Sequence, residues 1–97
     1  MPYTIEFSED AERHLALLSA RDRAIVLDAV EELRHEPTVP TRNRKLLREN
    51  PLASWQLRVG DFRVFYNVDG DLVIVVIVAI GEKKHNVLTI DGKAFSL

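Results

Sequence analysis

The chain has 97 residues, a formal net charge of −2 and no cysteine. That length supplies one hydrophobic core, so residues 1–97 are read as a single domain, and the lack of cysteine excludes disulfides, a thiol nucleophile and thiolate metal sites. The longest uninterrupted apolar run, Leu72 to Ile80, has nine residues, far short of the roughly twenty a membrane helix needs.

Tyr3 to Phe7 alternates and predicts a first strand, with neither a basic start nor a long apolar stretch before it, which reads as a cytoplasmic protein. Ser8 offers an N-cap oxygen to a helix whose first turn carries Glu9, Asp10 and Glu12. Ala11, Leu15 and Leu18 form its apolar stripe. After a break at Ser19-Ala20, a second helix carries Ile25, Ala29 and Leu33 as its apolar stripe, flanked by Val26 and Val30, and Pro37 and Pro40 end it. Strands follow. Ser54 to Val59 alternates, Gly60-Asp61 suits a type II′ turn, and Phe62 to Val68 returns. Asp69-Gly70 signals a type I′ turn into Asp71 to Ile80, apolar on both faces as expected of a central strand. After Gly81 to His85, Val87 to Ile90, Asp91-Gly92 and Lys93 to Phe95 form a last hairpin. The predicted class is α+β, with an N-terminal strand and a helical hairpin packed on a mostly antiparallel sheet.

Charge is unevenly spread. Residues 1–37 hold four arginines against nine acids, residues 38–66 six cations against two acids, and residues 67–97 three lysines against four acids. A basic middle on an acidic protein is a candidate anion-binding face. The Gly60-Asp61 turn pairs Arg58 directly with Arg63 and Gln56 with Phe65, with Cβ atoms of such pairs about 4.5–5.5 Å apart. Like charges at that distance repel, so the pair calls for a counter-anion: Asp61, Glu82 or Glu49 within the chain, a partner protein, or a phosphate. The Asp69-Gly70 turn places Val76 opposite Arg63 and returns Gly81 to His85 to the same end. Arg58, Arg63, Lys83, Lys84 and His85 are therefore expected on one edge, with Lys45 and Arg48 nearby.

Guanidinium forks match phosphate oxygens. When a ribose 2′-hydroxyl attacks its neighbouring phosphate, charge builds on the phosphorane oxygens, and paired cations stabilise it. Histidine suits proton transfer near neutral pH, which makes His85 a candidate acid or base. A lysine among cations is a second candidate proton acceptor. Phe65, on the arginine face, is a candidate base-stacking platform, whereas Trp55, Phe62 and Tyr66 are assigned to the core. His14, His35 and His85 lack metal-ligand spacing, and neither metal nor cofactor is expected.

Lys45-Leu46-Leu47, then Trp55-Gln56-Leu57-Arg58-Val59-Gly60-Asp61-Phe62-Arg63-Val64-Phe65-Tyr66, then Ile80-Gly81-x-Lys83-Lys84 resembles the RelE/ParE superfamily of type II toxin–antitoxin toxins. The resemblance implies a RelE-like, microbial-RNase-like fold. It also implies that RelE-like members cleave messenger RNA in the ribosomal A site, without a metal, by 2′-hydroxyl attack, that ParE-like members poison DNA gyrase, and that a cognate antitoxin silences both. By position, Arg63 matches the central arginine of the RelE-like site, Arg58 a basic residue on the preceding strand, and Lys83 a basic residue after the last long strand. Catalysis is expected from Arg63, Arg58, Lys83 and His85, and substrate contact from Lys84, Lys45, Arg48, Gln56 and Phe65. Gln56 stands where RelE-like enzymes can carry a lysine, and the tail resembles a subgroup ending in an extra hairpin instead of a catalytic aromatic. The leading expectation is a ribosome-dependent endoribonuclease toxin with two partners, a cognate antitoxin and messenger RNA on the ribosome. The alternatives are a gyrase inhibitor and a catalytically weak antitoxin-binding module.

Overall fold

Two serines start the two helices. In the structure, a computed structural model describing residues 2–97, strand β1 (Thr4–Phe7) ends at Ser8, whose Oγ accepts the Ala11 N–H at 3.0 Å and caps α1 (Glu9–Leu17). Ser19 does the same for α2 (Ala20–Val30), accepting from Asp22 N–H at 3.1 Å. A 3-10 turn (Glu31–Arg34) follows. The remaining chain is strands: β2 (Arg44–Leu46), β3 (Trp55–Val59), β4 (Phe62–Asp69), β5 (Ile74–Lys84), β6 (Val87–Ile90) and β7 (Lys93–Phe95). They form one sheet in the order β2-β3-β4-β5-β6-β7, antiparallel throughout, with β1 joining β5 in parallel. Strand β2 has no counterpart in the sequence pattern.

The helices cover one face of the sheet. Ala11, Val26, Val30 and Leu33 are buried there against Leu57, Val64 and Tyr66. Leu33, in the turn after α2, is buried as expected; within α2 the flanking Val26 and Val30 are buried, Ala29 is only partly so, and Ile25 is exposed. Tyr66 is wholly buried, stacks on Trp55 with ring centroids 6.1 Å apart, and donates its hydroxyl to the Pro37 carbonyl at 2.7 Å. Burial raises the Tyr66 pKa well above the phenol value, so the hydroxyl stays a donor. The other face holds a smaller cluster of Ala53, Phe65, Ala79 and Leu88.

The β4–β5 register differs from expectation. The connection is not a two-residue turn: Asp69 Oδ1 accepts the N–H groups of Asp71 and Leu72, and Gly70 to Val73 form a longer loop ending with Val73 at φ +55°. An aspartate bonding its own backbone two residues on competes directly with a tight hairpin turn. A bulge between Phe65 and Tyr66 adds a further shift, and Arg63 faces Gly81, not Val76. Strand β5 also runs on to Lys84, so Lys83 belongs to the sheet itself.

One edge of β5 is shared between two partners, β1 as far as Ile77 and β6 from Glu82. Helix α1 fills the interval. Ser8 Oγ donates to the Val78 carbonyl at 2.8 Å, and His14 Nδ1 accepts the Ile80 N–H at 3.0 Å. His14 must therefore be neutral at Nδ1. Burial is the main cause that lowers its pKa, with Arg13 adding and Asp91 and Asp10 opposing. The unfolded chain thus takes up this proton first, and the His14 contribution to stability is full above about pH 6.5 and declines as pH falls below it. Asp91 and Glu31, held low by hydrogen bonds from Arg13 and Arg34, act only in the more acidic carboxylate range. The urea midpoint should be lower at pH 5.5 than at pH 7.5, and His14→Gln should shrink that difference. An undiminished difference in the variant would assign the effect to other groups.

Candidate functional site

The Gly60-Asp61 turn is formed as expected, with Gly60 at φ +59°, and it sets Arg58 against Arg63 and Gln56 against Phe65. Side chains alternate along strands, so Gln56, Arg58, Arg63 and Lys83 all project from the face away from the helices. Gly81, between Arg63 and β6, is required by close approach: a Cβ there would lie 2.8 Å from the Thr89 carbonyl oxygen and 2.8 Å from Ile90 Cγ1. Only glycine lets β6 close over β5 beside the arginines.

Arg63 is half-buried, and its Nη1 is tied to the carbonyls of Gly60 (2.8 Å) and Phe62 (2.9 Å), which fixes the guanidinium and leaves its other nitrogens open. Burial, then the Arg58 charge, lower its pKa, while Asp61 opposes. A guanidinium so perturbed is still a cation at neutral pH. Arg58 is held by Asn43, whose carbonyl accepts the Arg58 N–H at 2.7 Å and whose Oδ1 accepts from Nη2 at 3.2 Å. The Lys83 N–H bonds the Asp61 carbonyl at 2.7 Å and anchors that strand beside the turn. None of the carboxylates weighed as counter-charges forms a direct ion pair with Arg58 or Arg63, although Asp61 lies near enough to favour the Arg63 charge. Among the described residues the ion pairs are Arg13 with Asp10 and Asp91, Arg34 with Glu31, and Lys84 with Glu82.

A cleft opens over this face, and Lys45, Gln56, Arg63 and Lys83 line both of its arms. The smaller arm, about 230 Å³, is completed by Arg42, Asn43, Arg44 and Arg58. The larger, about 390 Å³, is bounded by Leu47, Arg48, Asn86, Leu88, Phe95 and Leu97, among others. No Asp, Glu or His lines either arm among the described residues.

Six of the nine residues expected at the site are thus assembled: Arg58, Arg63, Lys83, Lys45, Arg48 and Gln56. Three are not. His85 is exposed at the first position of the β5–β6 turn (φ +51°, followed by Asn86 at +64°) and lines neither arm. Lys84 projects to the opposite face from Lys83 and meets Glu82 at 3.6 Å. Phe65 shares the arginine face but is completely buried beneath Ala53, Ala79 and Leu88, so it offers no surface to a base. Sequence reasoning missed Asn43 and Asn86 as cleft residues. Arg42 and Arg44 stood out only as charge, and the short strand β2 that presents this segment gave no pattern.

A model of the family described as "ParE toxin of type II toxin-antitoxin system, parDE" matches residues 5–87. The chain is a member of the RelE/ParE superfamily of type II toxins. This RelE/ParE toxin is 33% identical over 84 residues to toxin RelG of Mycobacterium tuberculosis (strain ATCC 25618 / H37Rv), covering 86% of this chain and 93% of that protein. Among solved structures it is similar to a chain of the toxin–antitoxin complex RelBE2 from Mycobacterium tuberculosis, with TM-score 0.74 and 31% identity over 86% of this chain and 93% of that one. It also matches a double arginine-to-alanine mutant of E. coli toxin RelE in the free state, with TM-score 0.66, 25% identity and 84% of each chain covered. The fold expected from the sequence, helices on a RelE-like antiparallel sheet, is thereby shown.

Proposed function

We propose that this toxin is a ribosome-dependent messenger-RNA endoribonuclease. The observation that carries the reading is the Arg58/Arg63 pair with Lys83 and Lys45, four cations lining one cleft and none of them ion-paired to a carboxylate among the described residues. Such a site is complementary to a phosphodiester, and more so to the phosphorane, where charge accumulates on the non-bridging oxygens. In the reaction the ribose O2′ bonds to the adjacent phosphorus and the P–O5′ bond breaks, giving a 2′,3′-cyclic phosphate and a 5′-hydroxyl. The proton leaving O2′ passes to a base, and O5′ gains one as it departs.

The cleft is rich in charge stabilisation and poor in proton-transfer groups: lysine amines are present, but no histidine or carboxylate lines it among the described residues. A site of this kind gains most when its substrate is already held in an attacking geometry, which is the case for dependence on the ribosome. The toxin then acts in the cytoplasm. A cognate antitoxin is its second partner, in keeping with the relatives solved as toxin–antitoxin complexes, and an acidic antitoxin segment would supply the missing counter-charge.

Expression under tight induction, with message 5′ ends mapped across the transcriptome beside an Arg58→Ala/Arg63→Ala control, tests the reading. Cuts within translated frames that vanish in the control are expected. The match to the ParE family favours one alternative, gyrase inhibition, which predicts growth arrest with intact messages. Neither arrest nor cuts would leave an antitoxin-binding module.

A further inference from the structure

Between its two strand partners, the outer edge of β5 is held by side chains. Ser8 Oγ donates to the Val78 carbonyl at 2.8 Å, and His14 Nδ1 accepts the Ile80 N–H at 3.0 Å. The segment so held abuts the arginines. Ile80 precedes Gly81, and Gly81 is paired with Arg63. Lys83, two residues further on, lines both arms of the cleft. A buried imidazole thus fixes the residue next to the one that faces Arg63.

This bond has a property that a hydroxyl or an amide in the same place would not give it. Only the neutral ring has a nitrogen lone pair to offer. Both nitrogens of imidazolium are donors, so a proton on Nδ1 sets N–H against N–H. In the neutral ring the proton sits on Nε2, which makes no hydrogen bond among the described residues and is not sealed from solvent. His14 lines a groove of about 190 Å³, together with Leu18, Phe62, Glu82, Thr89 and Asp91. Charged groups surround it on several elements. On α1 these are Asp10 and Arg13, at the β6–β7 turn Asp91, and on β5 Glu82. Arg13 bridges Asp10 and Asp91, Lys93 lies within range of Asp91, and Lys84 meets Glu82. Arg23 of α2 is bound to the carbonyls of Leu15, Ala16 and Leu18. The two aspartates favour a charged ring and Arg13 opposes it. An imidazolium therefore has carboxylates to turn toward in the groove and only repulsion at Ile80.

We propose that His14 is a positioning residue for the arginine site and that a proton releases its hold. The neutral ring fixes Ile80 and Gly81 beside Arg63. The imidazolium leaves Ile80 for the carboxylates of the groove, and that stretch of β5 slackens while the rest of the domain stays folded. Because burial disfavours the charged ring, the transition falls below about pH 6.5, the ordinary histidine value. The site is then fully assembled at neutral pH and loosened in mild acid, whatever substrate the cleft holds.

The test is an NMR titration of the full-length ¹⁵N-labelled protein from about pH 7.5 down to about pH 5, the range in which histidine changes charge. The backbone amides of Ile80, Gly81 and Arg63 should shift with one midpoint, that of the His14 ring. The amides of Trp55 and Leu57, on β3, should not follow it. Hydrogen exchange, corrected for its intrinsic pH dependence, should show Ile80 losing about tenfold more protection than Trp55 and Leu57, the equivalent of one hydrogen bond. In His14→Gln the side-chain oxygen can accept the Ile80 N–H and does not titrate, so the shared midpoint should vanish and the protection of Ile80 should persist in acid. His14→Ala should show the loosened Gly81 and Arg63 signals already at neutral pH. Four results overturn the proposal: a ring that stays neutral throughout, a ring that titrates while Ile80, Gly81 and Arg63 stay put, a wild-type titration in His14→Gln, or protection lost no more at Ile80 than on β3. The wild-type titration decides alone if neither variant folds.

Discussion

Arg63→Ala is expected to yield a folded protein whose toxicity is lost, with message cleavage reduced about 10²- to 10³-fold, the usual cost of deleting one preorganised charge at a transition state. The reason lies in how the side chain is held. Two carbonyls fix Nη1, so the guanidinium is oriented before any substrate arrives, and Arg63 lines the cleft. Stability should move little. The variant loses two side-chain hydrogen bonds but is relieved of repulsion from Arg58, a like-charge pair worth about 0.2–1 kcal/mol, and the two changes oppose each other. Arg63→Lys should recover only a small part of the activity, because a single ammonium cannot hold the same two carbonyls and also fork to a phosphate. Growth arrest, cleavage yield and thermal midpoint measured on one preparation decide it. Full toxicity in folded Arg63→Ala would remove this residue from the mechanism.

The largest effect on stability is expected at Tyr66. This side chain is completely buried, stacks on Trp55 and closes the space beneath Pro37 through its hydroxyl. Tyr66→Ala should cost about 3–5 kcal/mol, the range for emptying an aromatic site in a core. That is a large part of the total stability of a domain this small. Tyr66→Phe separates packing from the hydrogen bond: the ring remains, the Pro37 carbonyl loses its donor, and the expected cost is about 1–2 kcal/mol. Urea unfolding of both variants checks the split. If Phe is as damaging as Ala, the hydrogen bond and not the ring holds the Pro37 connection in place.

What the sequence made legible depended on how far a short-range rule could reach. A two-residue turn leaves no freedom in pairing, so the Arg58/Arg63 juxtaposition followed from Gly60-Asp61 alone. The next register did not, because Asp69 bonds the loop beyond it and a bulge intervenes, and neither event leaves a mark in the apolar pattern. Lys83 still reached the arginines, by a route other than the one expected: β5 runs further, and alternation brings Lys83 in while turning Lys84 out. Phe65 had the right face and the wrong depth. Alternation gives direction, but depth depends on what packs above, here Leu88 from a strand more than twenty residues later. His14 was within reach of the pattern, since it lies three residues after Ala11 and four before Leu18, on the apolar stripe itself. A histidine there signals a buried polar duty, which proved to be the Ile80 N–H.

The parallel union of β1 with β5 bears on when the toxin becomes active during its synthesis. Thr4 pairs with Ile74, and Ser8 and Val78 are bonded across 70 residues of sequence. The first strand therefore has no place to go while the helices and β2 to β4 are emerging from the ribosome, and the interval that His14 fills does not exist until Ile80 is made. Contacts so distant in sequence form late and slowly. The cleft itself waits longer, because Lys83, Asn86 and Phe95 are translated after Ile80. The nascent chain thus carries its arginine pair, complete at Arg63, without the rest of the cleft around it until the segment through Phe95 has been made and has folded.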